Sequence, residues 1–387
     1  MTDIPFRNTA VTERGRAQPS APAYEEVLRE LCVAVFTSLP RRDQRTRAEQ
    51  YVRGLLCTPG RKSIRNIAAH VGGGSPTEQR LHHFVTSSTW DWRPVRASLI
   101  RWLESAHPQS CWVVQPMPIP KSGRHSVGVG RRFDPHMGQV LHGQQSFGIW
   151  FVSPDVVTPV GWRLFLPDDT TTRGGETYED SVTATVMETV GISATAPRPV
   201  VLDVRGIDAR STMRQLPLRG LPVLARVQPT TLLWSADPNM PYYGTGPRPA
   251  HDLLTAVKAL RRPVEWHDDA PSAGPPVSLA AAVPVTTVAC DQRQKPSLLL
   301  GEWMGARRTP AQFWMTNMRM PAPPMLRIAK EASRVSRVSA QCARQTGLRD
   351  FTGRSLGGWH RHLTLASVAC AIRALSRTEH GIPALAG

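Results

Sequence analysis

The feature that most restricts how this chain can fold is a change of apolar period at Pro108. Before it the spacing is helical. Val27, Leu28, Leu31 and Val35 share one face ahead of Pro40, and a second helix carries Tyr51, Leu55 and Leu56. The stretch "GRKSIRNIAAHVGGGSPTEQRLHHFVTSSTWDW" reads as helix, glycine-rich turn, helix, with Ile64, Ile67, Ala68 and Val71 on the first face and Leu81, Phe84 and Val85 on the second. A further amphipathic helix is predicted over 95–103. After Pro108 short β-rich runs take over at 111–114, 126–130, 145–152, 162–166, 200–202 and 222–227, with a helix starting near Asp208 between the last two. Strands in series, then strand, helix, strand, predict an α/β chain with a mixed sheet flanked by helices.

The apolar run 111–114 predicts a core strand that stops at Gln115, with a proline-broken turn after it. Residues 236–296 are rich in Pro, Ala and Asp and poorly periodic, and read as an insertion or long loop before the last core helix. "SLLLGEWM" and "AQFWMTNM" are strand-like. Residues 326–374 are helical, interrupted by "TGLRDFTGRSLGGW". The expected division is a disordered tail over 1–22, a helical, DNA-binding domain over 23–107, a core in two parts over 108–235 and 297–387, and the insertion between them.

Charge narrows the partner. The formal net charge is +17, almost all from arginine, since Lys62, Lys121, Lys258, Lys295 and Lys330 are the only lysines. Arginines near phosphates release condensed counterions, so the excess fits duplex DNA; codon bias toward Arg, Ala, Pro and Gly is the competing explanation. On the helix-turn-helix-like unit, Arg61, Lys62, Arg65 and Arg80 are placed to meet phosphates. The six cysteines are far apart, without a CxxC pair, as expected for reduced thiols and not for a zinc site. No apolar run reaches transmembrane length and the polar N-terminal stretch lacks a signal-peptide core, so a cytoplasmic, nucleoid-associated protein is expected, with no membrane partner and a homodimer possible. Walker, GxGxxG and GxSxG motifs do not occur, and small-molecule cofactor chemistry has no positive signal.

Several blocks in one order carry a family resemblance: "LPRRDQRTRAEQYVRGLL", "GRKSIRNIAAHVG", "LHHFVTSSTWDW", "PKSGRHSVGVGRRF", "GWRLFLP", "VVLDVRGID", "LPVLARV" and "TGLRDFTGRSLGGWHRHLTLA". Over 36–375 the chain resembles bacterial DDE transposases of the IS701 type, within the IS4-like group. The resemblance implies an RNase H-like core, an N-terminal helical DNA-binding region, and metal-dependent strand cleavage and transfer. That chemistry clamps two divalent ions about 3.5–4 Å apart, and three carboxylates would hold them.

Transferred position by position, the acid pattern fails twice. The first acid falls on Gln115 in "WVVQPMPIPKSG", the second survives as Asp203 in "VVLDVRGID", and the helical glutamate falls on Ser336, with Ser333 where the family has tryptophan. A solitary carboxylate cannot hold two hydrated Mg2+ ions against their mutual repulsion. The expectation is therefore a transposase-derived DNA-binding protein, a domesticated regulator or inactive relative, that needs no cofactor. The alternatives are an active transposase using Mg2+ and an enzyme with new chemistry around Lys121, His125 and Asp203.

Other residues carry weaker signals. Lys121, Arg124 and His125 lie on a basic turn that either holds phosphate or is merely solvated. Asp203 without partners is expected to cap the helix that follows it. His360 and His362 fall on different helix faces, against a shared metal, while Arg354 and Arg361 are expected on DNA backbone. Trp90, Trp92, Trp102 and Trp359 are expected mainly in the core.

Overall fold

The computed structural model describes residues 21–167, 175–216, 220–266, 276–287, 296–305 and 307–377. The tail expected over 1–22 lies outside them except for Ala21 and Pro22, which open the first helix. Among the described residues, five α-helices precede the first strand: α1 (Ala21–Phe36), α2 (Arg42–Cys57), α3 (Ile64–Val71), α4 (Gly74–His82) and α5 (Trp92–Ala106). Ser63 caps α3 by accepting from the Asn66 N–H at 3.2 Å. The α3–α4 turn runs through Gly72, Gly73 and Gly74, all at positive φ, and a Cβ on Gly73 would lie 2.1 Å from Thr77 Oγ1.

The core strands are β1 (Cys111–Pro120), β2 (Gly130–Asp134), β3 (Gln139–Val152), β4 (Val157–Leu164), β5 (Val200–Leu202) and β6 (Val223–Arg226). The spatial order is β4-β3-β1-β5-β6. β1, β5 and β6 run parallel, and β3 runs antiparallel to β1 and β4. With α6 (Tyr178–Val190) before β5 and α7 (Ala209–Gln215) before β6, this is the RNase H-like arrangement.

Two strand expectations are corrected. The segment at 126–130 is a turn leading into β2. Strand β1 continues through its prolines to Pro120, paired with β3 as far as Gly143. The reason is alternation. The Trp112 N–H and Val114 C=O bond toward β5, so Pro116, Pro118 and Pro120 turn their missing N–H the same way, where β5 has ended. No ladder bond is sacrificed.

Within the stretch 236–296, expected as an insertion or long loop, the described residues extend the sheet. β7 (Leu232–Ser235), β8 (Arg248–Pro249), α8 (Ala250–Ala256), β9 (Arg262–Glu265) and β10 (Val277–Thr286) lead to β11 (Ser297–Met304) and β12 (Gln312–Thr316). The strand order continues β6-β12-β11-β10-β7-β8. The chain closes with α9 (Ala322–Thr346), which crosses the sheet to β1, and α10 (Leu356–Leu375). α10 is buried on nearly all sides because β4 covers one face and α1, α2 and α5 cover others. No helix among the described residues is long and apolar enough to cross a membrane.

Candidate functional site

The parallel register of β1 and β5 builds the site. The Asp203 N–H donates to Val114 C=O at 3.0 Å, so the residue after β5 lies beside Gln115 on β1. α9 lies over both. Gln115 Nε2 has three acceptors within hydrogen-bond reach, Asp203 Oδ2 at 3.0 Å, Ser336 Oγ at 2.7 Å and Ala332 C=O at 2.8 Å, and its two N–H groups are shared among them. The structure thus brings Gln115, Asp203 and Ser336 together from three elements. Gln115 and Asp203 are buried, and Ser336 stands at the exposed rim.

The other Asp203 oxygen, Oδ1, is paired with Arg226 Nε at the end of β6, and the guanidinium lies over the Trp314 ring at 4.5 Å from its centroid. Arg226 and Trp314 are partners in the β6–β12 ladder, which fixes this stacking. Both carboxylate oxygens are therefore engaged by nitrogen donors. Asp203 does not cap the following helix; Asp208 does, accepting from the Arg210 N–H at 3.1 Å.

These contacts determine what the site can hold. Three acceptors surround Gln115 Nε2, so rotating the amide would set Oε1 against a carboxylate and a carbonyl. The amide must present N–H groups, and its oxygen is turned away from Asp203. A divalent ion here would face one carboxylate already matched by a guanidinium, an amide showing the wrong atoms, and a hydroxyl. That donor set does not fit a two-ion centre. Among the described residues no group of three or more His, Cys, Asp or Glu is arranged to hold a metal ion.

Three neighbours carry no clear mark in the sequence. Arg226 shows there only as an isolated cation in the apolar run "LPVLARV". His136, in the β2–β3 turn, accepts the Arg205 N–H on Nε2 at 2.9 Å. Burial lowers its pKa against the pull of Asp203 and Asp134. Buried Glu302 on β11 pairs with Lys330 on α9 and accepts from Ser278 Oγ at 2.7 Å, while the Lys330 ammonium lies 4.1 Å from the Trp266 ring centroid. This cluster sets the rotation of α9 about its axis, and with it the side that Ala332 and Ser336 turn to Gln115.

The basic candidates divide. Arg61, Arg65, Arg80, Arg124, His125 and Arg354 are exposed. Three others are engaged inside the protein. Lys62 is buried, with its ammonium on Thr58 C=O, because its backbone N–H is fixed on Asp350 at 2.7 Å. Lys121 Nζ donates to Phe351 C=O at 2.5 Å; burial first, then the Arg61 charge, lowers its pKa. Arg361 holds Trp90 C=O at 3.0 Å and Val85 C=O at 3.3 Å. Lys62 and Lys121 fasten the helical unit and the 121–129 strap to the loop between α9 and α10, where Arg354 C=O also accepts the Val127 N–H at 3.3 Å, and Arg361 ties the helical unit to α10. Arg61, Arg124, His125 and Arg354 consequently emerge around one junction.

His360 and His362 are structural. His362 is buried, with Nε2 2.8 Å from Gly347 C=O and Nδ1 2.9 Å from Tyr51 Oη. A carbonyl only accepts, so Nε2 carries the proton and Nδ1 receives the tyrosine O–H. His360 stacks on Trp92 at 4.6 Å. Trp90 and Trp359 are buried, and Trp92 and Trp102 are partly so.

A family model described as DDE superfamily endonuclease matches residues 34–297. No curated protein matches the chain.

Proposed function

This chain belongs to the DDE superfamily of endonucleases, and from that premise we propose that it is an IS701-type, transposase-derived protein that binds duplex DNA without metal-dependent strand transfer. The observation that carries the reading is the satisfied Asp203 carboxylate, with Gln115 on one oxygen and Arg226 on the other. Cleavage in this superfamily draws on closely placed acids, whereas binding rests on arginines spread over a wide surface. The loss of two acids removes the first and leaves the second. A net charge of +17 and the exposed cations around the 347–354 loop support duplex DNA as the partner. The role that fits is a nucleoid-associated regulator, or a competitor for the ends of a related element.

The test combines a salt series with a nicking assay on duplexes carrying such ends. Steep salt dependence and no Mg2+- or Mn2+-dependent nicking are expected. In the variant Arg61→Ala/Arg65→Ala/Arg124→Ala, the slope of log affinity against log salt should fall by roughly 0.9 for each phosphate that is no longer neutralised, with similar weakening on every sequence. An unchanged slope removes this surface from the reading. Nicking by the natural chain overturns the loss of catalysis.

A further inference from the structure

The β2–β3 hairpin lies at the core edge with an apolar tip that stays exposed among the described residues. Phe133 is 57% exposed, Val140 57% and Met137 53%. Phe133 and Val140 are cross-strand partners, so their side chains stand together on one face. The next pair along that face is Arg131 and His142, with Arg131 exposed. Arg132 points the other way, donating to Gly128 C=O at 2.9 Å with its guanidinium against the Phe165 ring.

This tip is rigidly tied to the site. Buried Asp134 accepts the His136 and Met137 N–H groups on Oδ1 at 2.7 and 2.9 Å, and the Gly138 N–H returns to Asp134 C=O at 2.8 Å. His136 then receives the Arg205 N–H. Pro135 packs so closely on Gly206 that a Cβ there would lie 2.5 Å from the proline ring. The hairpin is thus locked onto the loop that follows Asp203, beside exposed Arg205.

We propose that this hairpin tip is an apolar wedge that enters duplex DNA and unstacks a base step, with Phe133 and Val140 against the bases and Arg131 and Arg205 toward the flanking phosphates. The proposal rests on the DNA-binding reading above and adds where and how the duplex is deformed. Charge selects the occupant. Isolated apolar side chains would suit a protein partner equally, but here they stand between arginines on a chain with a net charge of +17. Proteins that kink DNA insert such apolar side chains between base steps while basic neighbours hold the backbone. Pre-organisation supports the same role, because a wedge must not fold away when it meets the stack.

The experiment uses the full chain and short mixed-sequence duplexes carrying 2-aminopurine at an end or at the centre, whose fluorescence rises when the base unstacks. The natural protein is expected to raise the signal severalfold at saturation. Phe133→Ser/Val140→Thr should abolish the rise and weaken binding severalfold, leaving the salt slope unchanged because the arginines that meet phosphates remain. Phe133→Leu, which keeps an apolar tip, should retain the rise. Equal melting temperatures will show that these exposed positions leave the fold intact. Tight binding without any rise, or a rise that survives in the double variant, overturns the wedge while the DNA-binding reading stands. No affinity for any duplex overturns both. A change of oligomeric state in Phe133→Ser, with DNA deformation intact, assigns the tip to a second copy of the chain and also overturns the wedge.

Discussion

Gln115→Asp combined with Ser336→Glu is expected to turn a chain indifferent to divalent ions into one whose stability depends on them. The natural site holds the Asp203 carboxylate with Gln115 Nε2 and Arg226, so Mg2+ or Mn2+ should leave its melting temperature unchanged. Replacing the amide by a carboxylate removes the donor to Asp203 Oδ2 and to Ala332 C=O and sets two anions side by side. Missing hydrogen bonds and like-charge repulsion should cost about 2–4 kcal/mol without metal. Adding the ion gives the paired carboxylates a cation to share. At a concentration a hundredfold above the dissociation constant, about 2.7 kcal/mol should return. Differential scanning calorimetry with Mn2+ distinguishes the two chains. A comparable rise in the natural protein, or none in the double variant, contradicts this account of the site. Nicking of an element end by the double variant alone would further assign these positions to the superfamily's missing acids.

Acidification should destabilise the protein well above the carboxylate range. Burial holds His362 at a pKa of about 4, and burial with the surrounding Arg96, Arg93 and Arg163 charges holds His360 at about 3, against 6.5 for an exposed histidine. Above pH 6.5 neither the folded nor the unfolded chain is protonated at these rings, and their contribution is complete. As pH falls below 6.5 the unfolded chain binds protons first, and stability is lost until the folded rings titrate near 4 and 3. Each ring contributes up to about 1.4 kcal/mol per pH unit in that window, so near pH 5 the pair should remove on the order of 3–4 kcal/mol. His362→Gln keeps a donor toward Gly347 but cannot titrate. Chemical denaturation across pH should give it a shallower loss, by roughly half. An NMR titration placing His362 near 6.5 in the folded natural protein would refute the assignment.

Much of the scaffold is legible in the chain. The 3.6-residue period locates the N-terminal helices because it records one buried face, and apolar runs locate β3 to β6, β11 and β12 because these strands are covered on both faces. α6 escapes that reading although Thr177 and Asp180 form a capping box, since its threonines and valines are weak helix formers. The insertion strands escape it because "VSLAAAVPVT" carries small side chains with little contrast between faces. The end of β1 is misplaced when Pro116 is taken as a breaker, because only the neighbouring strand decides which N–H groups the ladder needs.

At the candidate site, the acid pattern that the family resemblance implies names Gln115, Asp203 and Ser336 before any geometry is known. The pairing of each oxygen is not available from spacing. Arg226 reaches Asp203 through parallel strand register, Gln115 reaches Ser336 through the placement of α9, and Lys62 turns inward because Asp350 fixes its backbone. Local chemistry along a chain sets the period of an element and its available groups. Which donor meets which acceptor depends on distances across the fold between residues far apart in order, and a shift of one strand position would move every such side chain to the opposite face.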